Sequence, residues 1–119
     1  MPSEGTIREL LAFGDIVLAP FPYTDQSTTK RRPAVVISSA TYNLSRPDVI
    51  IMAVTSQVRT ASIRGDVRLE AWEAAGLLKP SVLKPIIATL ERGLVIRKLG
   101  ALSRGDQSAL RGALAEMMG

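Results

Sequence analysis

The sequence contains neither cysteine nor histidine. The first absence excludes disulfides, thiolate zinc sites and thiol nucleophiles. The second removes the commonest general base, the commonest neutral metal ligand and every triad built on imidazole. Any chemistry in this chain rests on carboxylates, hydroxyls, lysine, arginine or the backbone. Aromatic residues make up only 4% of it, so broad stacking platforms for nucleobases are not expected. No apolar run approaches the roughly 18 residues of a transmembrane helix, and the start of the chain lacks a cationic segment followed by an apolar block and a cleavage site. A cytoplasmic protein is the expectation. Paired-carboxylate motifs, Walker loops, GxGxxG and metal-ligand clusters are missing as well, which leaves no ground to expect a metal or a cofactor.

What is present is a chain of 119 residues with 15 Lys and Arg against 11 Asp and Glu, a net charge of +4. That length suits one domain with a core of its own. The basic balance points to a polyanionic partner. A hydrophobic fraction of 46% is high for a small charged protein and leaves apolar surface for self-association.

Residues 1–13 read as an N-terminal arm and residues 14–119 as a single domain. Gly14-Asp15 opens a strand over 16–19 that Pro20 and Pro22 end, and 23–31 is a polar loop. A second strand spans 33–38, where Pro33 suits a strand start. Residues 39–47 form a connection and 48–55 a third strand; the continuous apolar runs in both strands imply burial on both faces. Alternation over 64–70 gives a half-exposed strand, and a helical turn over 71–75 ends at Gly76, which suits a left-handed helix end. Residues 82–90 are a fifth strand, and 91–102 fit helix or strand equally. Ser103 with Asp106 three residues on resembles a capping arrangement, and Leu110, Ala113, Leu114, Met117 and Met118 recur at helical spacing behind it. Five short strands and one closing helix predict a mainly β fold, a small, strongly bent sheet or barrel.

Three places carry side chains suited to chemistry. Lys30-Arg31-Arg32-Pro33 sets three adjacent cations against a buried strand, a surface suited to phosphate. The plainer reading is charge kept for solubility. Arg32 differs from its neighbours because the proline after it presses it toward extended geometry. Thr55-Ser56-Gln57 places three hydrogen-bonding residues directly after a buried strand; they suit a phosphate or a reacting hydroxyl, and equally a turn. Lys84 is a cation inside an otherwise apolar strand, which also fits an edge lysine that discourages strand pairing.

Taken in order, five blocks resemble the MazF/PemK family of toxin endoribonucleases, the toxic halves of bacterial toxin-antitoxin pairs. They are Gly14-Asp15-Ile16-Val17, Arg32-Pro33-Ala34-Val35-Val36-Ile37-Ser38, Val54-Thr55-Ser56-Gln57, Gly76-Leu77-Leu78-Lys79-Pro80-Ser81-Val82, and Ala88-Thr89-Leu90 with Lys98-Leu99-Gly100. The resemblance implies an SH3-like, partly open barrel with a C-terminal α-helix, the PemK/CcdB-like toxin fold. It implies a homodimer that cuts single-stranded RNA without metal, an mRNA interferase that inhibits growth. It also implies a cognate antitoxin, together with which the toxin binds DNA. The family's catalytic arginine and threonine carry over to Arg32 and Thr55. The chemistry implied is attack of a 2'-hydroxyl on phosphorus, leaving a 2',3'-cyclic phosphate and a 5'-hydroxyl. Lys30, Arg31 and Lys84 would then hold flanking phosphates, with Ser56 and Gln57 near the scissile step.

One departure from the family stands out. Some members carry an arginine and an acidic residue in the strand that matches 82–89, whereas here it reads Leu83-Lys84-Pro85-Ile86-Ile87 and holds no carboxylate. The general base would then be solvent or Asp25, reaching in from the polar loop. Two other functions stay open at this point. One is an SH3-like dimeric toxin that inhibits a protein target such as DNA gyrase, acting through the helix that ends in Met117 and Met118. The other is a noncatalytic nucleic-acid binder, for which the net charge speaks.

Overall fold

In the computed structural model, which describes residues 10–21, 30–56 and 63–119, alternate residues of the central strands feed two separate apolar clusters. Val17, Ala34, Val36, Ile51 and Ala53 enter one, beside Leu11, Phe21, Leu90 and Val95. Ile16, Val35, Met52 and Val54 enter the other, beside Leu83, Leu102 and Leu110. A strand turns successive side chains to opposite faces, so an unbroken apolar run is what a sheet covered on both sides requires. The double burial expected of these strands is what the fold shows.

The sheet is built from β1 (Asp15–Phe21), β2 (Lys30–Val36), β3 (Asp48–Thr55), β4 (Val67–Arg68), β5 (Val82–Glu91) and β6 (Arg97–Ala101). Its order is β4-β5-β3-β2-β1-β6, antiparallel throughout, curled into a half-barrel. Two helices complete it, α1 (Ala40–Ser45) and α2 (Arg104–Met118). α2 covers the second cluster with Leu110, while Ala113, Leu114 and Met117 pack beside it. The mainly β, partly open barrel with a C-terminal helix is thus the fold of the chain. No helix among the described residues is long and apolar enough to cross a membrane.

Four details differ from the sequence reading. There are six strands in the described residues, because 91–102 resolves into a single 3-10 turn, Arg92–Leu94, followed by β6. Residues 39–47 contain α1, too short to show periodicity; Ser39 caps it by accepting from the Tyr42 N–H at 3.1 Å. Within 64–70 only Val67–Arg68 pairs as strand. β1 runs on through Pro20, which pairs with Arg31. Its pairing with β6 has already ended at Leu18, so a residue without an N–H costs little there. The longer β1 draws Lys30, Arg31 and Arg32 out of the expected loop and into β2.

The capping expected at Ser103 is present, with its Oγ accepting from the Asp106 N–H at 3.1 Å. The Asp106 carboxylate turns to another segment. It accepts from the backbone N–H groups of Glu70 at 3.0 Å and Ala71 at 2.9 Å, pinning the turn at 71–76 to the start of α2. A buried carboxylate that serves two amides leaves both unsatisfied when removed. Asp106→Ala is therefore expected to lower stability by about 2 to 3 kcal/mol in urea unfolding, with Asp106→Asn losing less.

β5 carries a bulge. Met52 pairs with Ile87 but Ala53 with Lys84, so Pro85 and Ile86 are skipped. A proline cannot donate to a ladder, and a bulge is where a strand interior tolerates one. The skip sets the direction in which Lys84 and Ile86 leave the strand.

Candidate functional site

β2 and β3 are registered by Ala34 opposite Ala53, Val35 opposite Met52 and Val36 opposite Ile51. Carried on by two residues, the same register sets Arg32 across from Thr55, at the start of β2 and the end of β3. On the other flank of β3, Ala53 pairs with Lys84. A groove of about 880 Å³ opens at this end of the sheet. Leu18, Arg32, Pro33 and the stretch from Ala53 to Ser56 line it from the central strands, Lys84 and Ile86 from β5, and Arg97, Lys98 and Leu99 from β6. The connection before β5 completes the rim with Gly76, Leu77, Leu78, Lys79 and Ser81.

Five cationic residues, Arg32, Lys79, Lys84, Arg97 and Lys98, are among those that line one groove, and no carboxylate is among its described lining residues. Like charges held this close raise the local potential and favour an anionic chain over a single small anion. Among the described residues no group of His, Cys, Asp and Glu is placed to hold a metal ion.

Arg32, Thr55, Ser56 and Lys84 are thus brought together. Lys30 and Arg31 are exposed on β2 and are not among the lining residues. Gln57 and Asp25 lie outside the described residues. β5 runs between β4 and β3, but β4 pairs only with Val82 and Leu83, so Lys84 lies just past the end of that ladder; its Nζ lies 2.8 Å from Asp66 Oδ2. Phe21, one of the few aromatics near the polar loop, is buried in the core and is not available to stack on a base.

Lys79, Arg97 and Lys98 escaped the reading of single motifs. Arg97 and Lys98 come from the stretch that fitted helix or strand equally, and only pairing with Leu18 and Val17 of β1 brings that stretch to the groove. The signal for Lys79 and Lys98 lay in blocks of the resemblance, through the glycines beside them. A methyl group at Gly76 would run into the Leu99 carbonyl oxygen, and one at Gly100 into the Ala75 carbonyl oxygen. Gly76 also has φ +85°, the positive value a left-handed helix end needs. The two backbones touch because neither residue has a side chain, and this contact sets the 77–79 rim against the start of β6. Leu78 on that rim is 93% exposed.

A half-barrel of this order, closed by one C-terminal helix, is the fold of solved MazF toxins. MazF from Deinococcus radiodurans is 25% identical, covering 92% of this chain and 97% of its own, with a TM-score of 0.71. An endoribonuclease from a mycobacterial species is 18% identical over 92% of each chain, with a TM-score of 0.72. A mycobacterial endoribonuclease in complex with its cognate antitoxin is 19% identical, covering 91% of this chain and 94% of its own, with a TM-score of 0.73. Comparison with curated protein sequences returns no match. The sequence signature described as PemK-like, MazF-like toxin of type II toxin-antitoxin system matches residues 12–118. The chain belongs to that toxin family.

Proposed function

We propose that the protein is a toxin that cuts single-stranded RNA without metal, with Arg32 and Thr55 as its catalytic residues. The observation that carries this reading is the cation-lined groove in which the register sets Arg32 across from Thr55. The 2'-hydroxyl oxygen attacks the adjacent phosphorus and the bond from phosphorus to the 5'-oxygen breaks. A 2',3'-cyclic phosphate and a 5'-hydroxyl remain. Arg32 binds two phosphate oxygens through its planar fork and stabilises the charge that grows on them in the phosphorane. A guanidinium does not give up its proton near neutral pH, so its part is electrostatic. The Thr55 hydroxyl orients the phosphate or the attacking oxygen. No carboxylate lies among the described lining residues, so the 2'-hydroxyl proton passes to solvent or to Asp25 of the polar loop, and the leaving oxygen takes a proton from solvent. Ser56, Gln57 and Lys84 act beside the scissile step, and Lys30 and Arg31 extend the positive surface along β2.

The same reading includes a homodimer in the cytoplasm and a cognate antitoxin that blocks growth inhibition and joins the toxin on DNA. The mycobacterial complex and a MazE-MazF complex from Deinococcus radiodurans support the antitoxin. An inhibitor acting through its C-terminal tail has less to work with, since Met117 packs against the core and Met118 is the exposed large apolar side chain there.

The test is incubation of the folded protein with a long unstructured RNA in chelator, followed by analysis of both fragment ends. Discrete fragments ending in 2',3'-cyclic phosphate are expected. Intact RNA beside a folded protein overturns the nuclease, and cutting that requires added magnesium overturns the metal-free mechanism.

A further inference from the structure

The chain builds the same local turn twice. In residues 12–15, the Asp15 N–H donates to the Ala12 carbonyl at 3.0 Å and the Ala12 N–H donates back to Asp15 Oδ2 at 2.8 Å. In residues 63–66, the Asp66 N–H donates to the Ile63 carbonyl at 2.9 Å and the Ile63 N–H donates back to Asp66 Oδ2 at 3.4 Å. In each case the residue before the aspartate is a glycine at positive φ, Gly14 at +91° and Gly65 at +97°, as the third position of such a turn requires. Each turn thus fixes its carboxylate through its own backbone, whatever lies in front of it.

In front of each stands a groove lysine. Lys84 Nζ is 2.8 Å from Asp66 Oδ2, and Lys98 Nζ is 3.4 Å from Asp15 Oδ1. The aspartate side chains are 8% and 7% exposed and the lysines 28% and 30%, so each buried carboxylate is paired with a lysine side chain that is partly open to solvent. Lys84 leaves β5 and Lys98 leaves β6, strands that β3, β2 and β1 separate in the sheet. The two tethered cations therefore flank Arg32 and Thr55 from opposite sides.

We propose that Asp66 and Asp15 are positioning residues, which hold Lys84 and Lys98 as two fixed phosphate contacts on either side of the reacting phosphate. The inference rests on the RNA-cleaving reading of the groove. A lysine side chain loses rotamer freedom when it is fixed, and a tether made on folding removes much of that cost from substrate binding. An ammonium has three donors; one directed back to the aspartate leaves two for phosphate oxygens. The carboxylate also weakens the pull of its lysine on an anion. The arrangement favours placement over bare affinity.

That trade gives the two readouts opposite signs. Binding is read by anisotropy with a 2'-O-methyl oligoribonucleotide, which lacks the attacking hydroxyl, and turnover with the matching RNA. Asp66→Asn is expected to tighten binding about threefold, by releasing the ammonium from its competitor, and to lower kcat about tenfold, because the cation is no longer held in place. A residue that only stabilised the turn would lower activity without tightening binding. In a Lys84→Gln background, Asp66→Asn is expected to change neither quantity by more than about twofold, and Lys84→Gln itself should reduce the salt slope of binding by about 0.7. Asp15→Asn with Lys98→Gln forms the parallel cycle. Loss of binding and turnover together in Asp66→Asn, or an effect of equal size in both backgrounds, overturns the proposal. Where Asp66→Asn does not fold, Lys84→Arg against Lys84→Gln decides: arginine can keep both the tether and the phosphate, so equal salt slopes in the two variants also overturn it. A wild-type protein that binds the oligonucleotide but cuts no RNA removes the nuclease reading, while the binding half of the cycle still decides the tether. A protein that binds neither overturns both.

Discussion

Arg32→Ala is expected to lower kcat/KM for RNA cleavage about a thousandfold, a loss of about 4 kcal/mol of transition-state stabilisation. The size follows from what the groove offers. Neither histidine nor cysteine exists in the chain, and charge developing on the phosphorane is met chiefly by cations. Arg32 is the one that register sets across from Thr55, while Lys84 and Lys98 each share their charge with an aspartate. Arg32→Lys keeps the charge but not the two-pronged contact, so it should recover less than about a tenth of the wild-type rate. Thr55→Ala is expected to cost about tenfold to a hundredfold, with Thr55→Ser close to wild type. Initial rates on a labelled oligonucleotide measure all four, and thermal unfolding shows whether the fold is intact. An Arg32→Ala enzyme within tenfold of wild type would move the chemistry elsewhere in the groove.

The largest effect on stability is expected at Gly76. An alanine there must hold φ near +85°, which costs a residue with a side chain about 1 to 2 kcal/mol. Its methyl group must also displace the Leu99 carbonyl, an atom of the backbone that cannot rotate aside. Together these put Gly76→Ala at about 3 kcal/mol or more, read as a shift in the urea midpoint. Gly100→Ala strains the same contact from the other side, against the Ala75 carbonyl. The two substitutions should therefore fall short of additivity when combined. Both also move the rim that bears Lys79, so residual activity should fall further than the unfolded fraction explains. A midpoint unchanged in Gly76→Ala would show that the two segments part at little cost.

How far the fold could be read in advance varied with how much of each element is local. α2 was legible because its cap, its apolar spacing and its length all lie in one stretch of chain. β2 and β3 were legible because an unbroken run such as Val49 to Val54 is too apolar for a loop and too short for a buried helix. β6 was not, since Arg97-Lys98-Leu99-Gly100-Ala101 has neither alternation nor a helical stripe, and it becomes a strand only by pairing with β1. α1 is shorter than two turns. The site divides in the same way. Arg32, Thr55 and Lys84 sit in motifs, whereas Lys98 and the two tethering aspartates gain their roles from partners far off in sequence. Asp66 looked like one polar member of an alternating strand; its glycine neighbour was the trace of a turn.

The sheet covered on both faces has a consequence for how the chain finds its alignment. In a sheet with one wet face, sliding a strand by one residue exposes every apolar side chain, and solvent itself rejects the error. Here a slip of β2 against β3 would merely trade one set of valines and isoleucines for the other, both still dry. Solvent is a poor proofreader of such a strand. Alignment falls to residues that fit only one way: Pro33 and Pro85, which cannot donate to a ladder, and Gly76 and Gly100, which admit a neighbouring backbone at one point alone. Exchanges among the buried aliphatics should consequently be better tolerated than exchange of any of these four, even though the four bury little apolar surface.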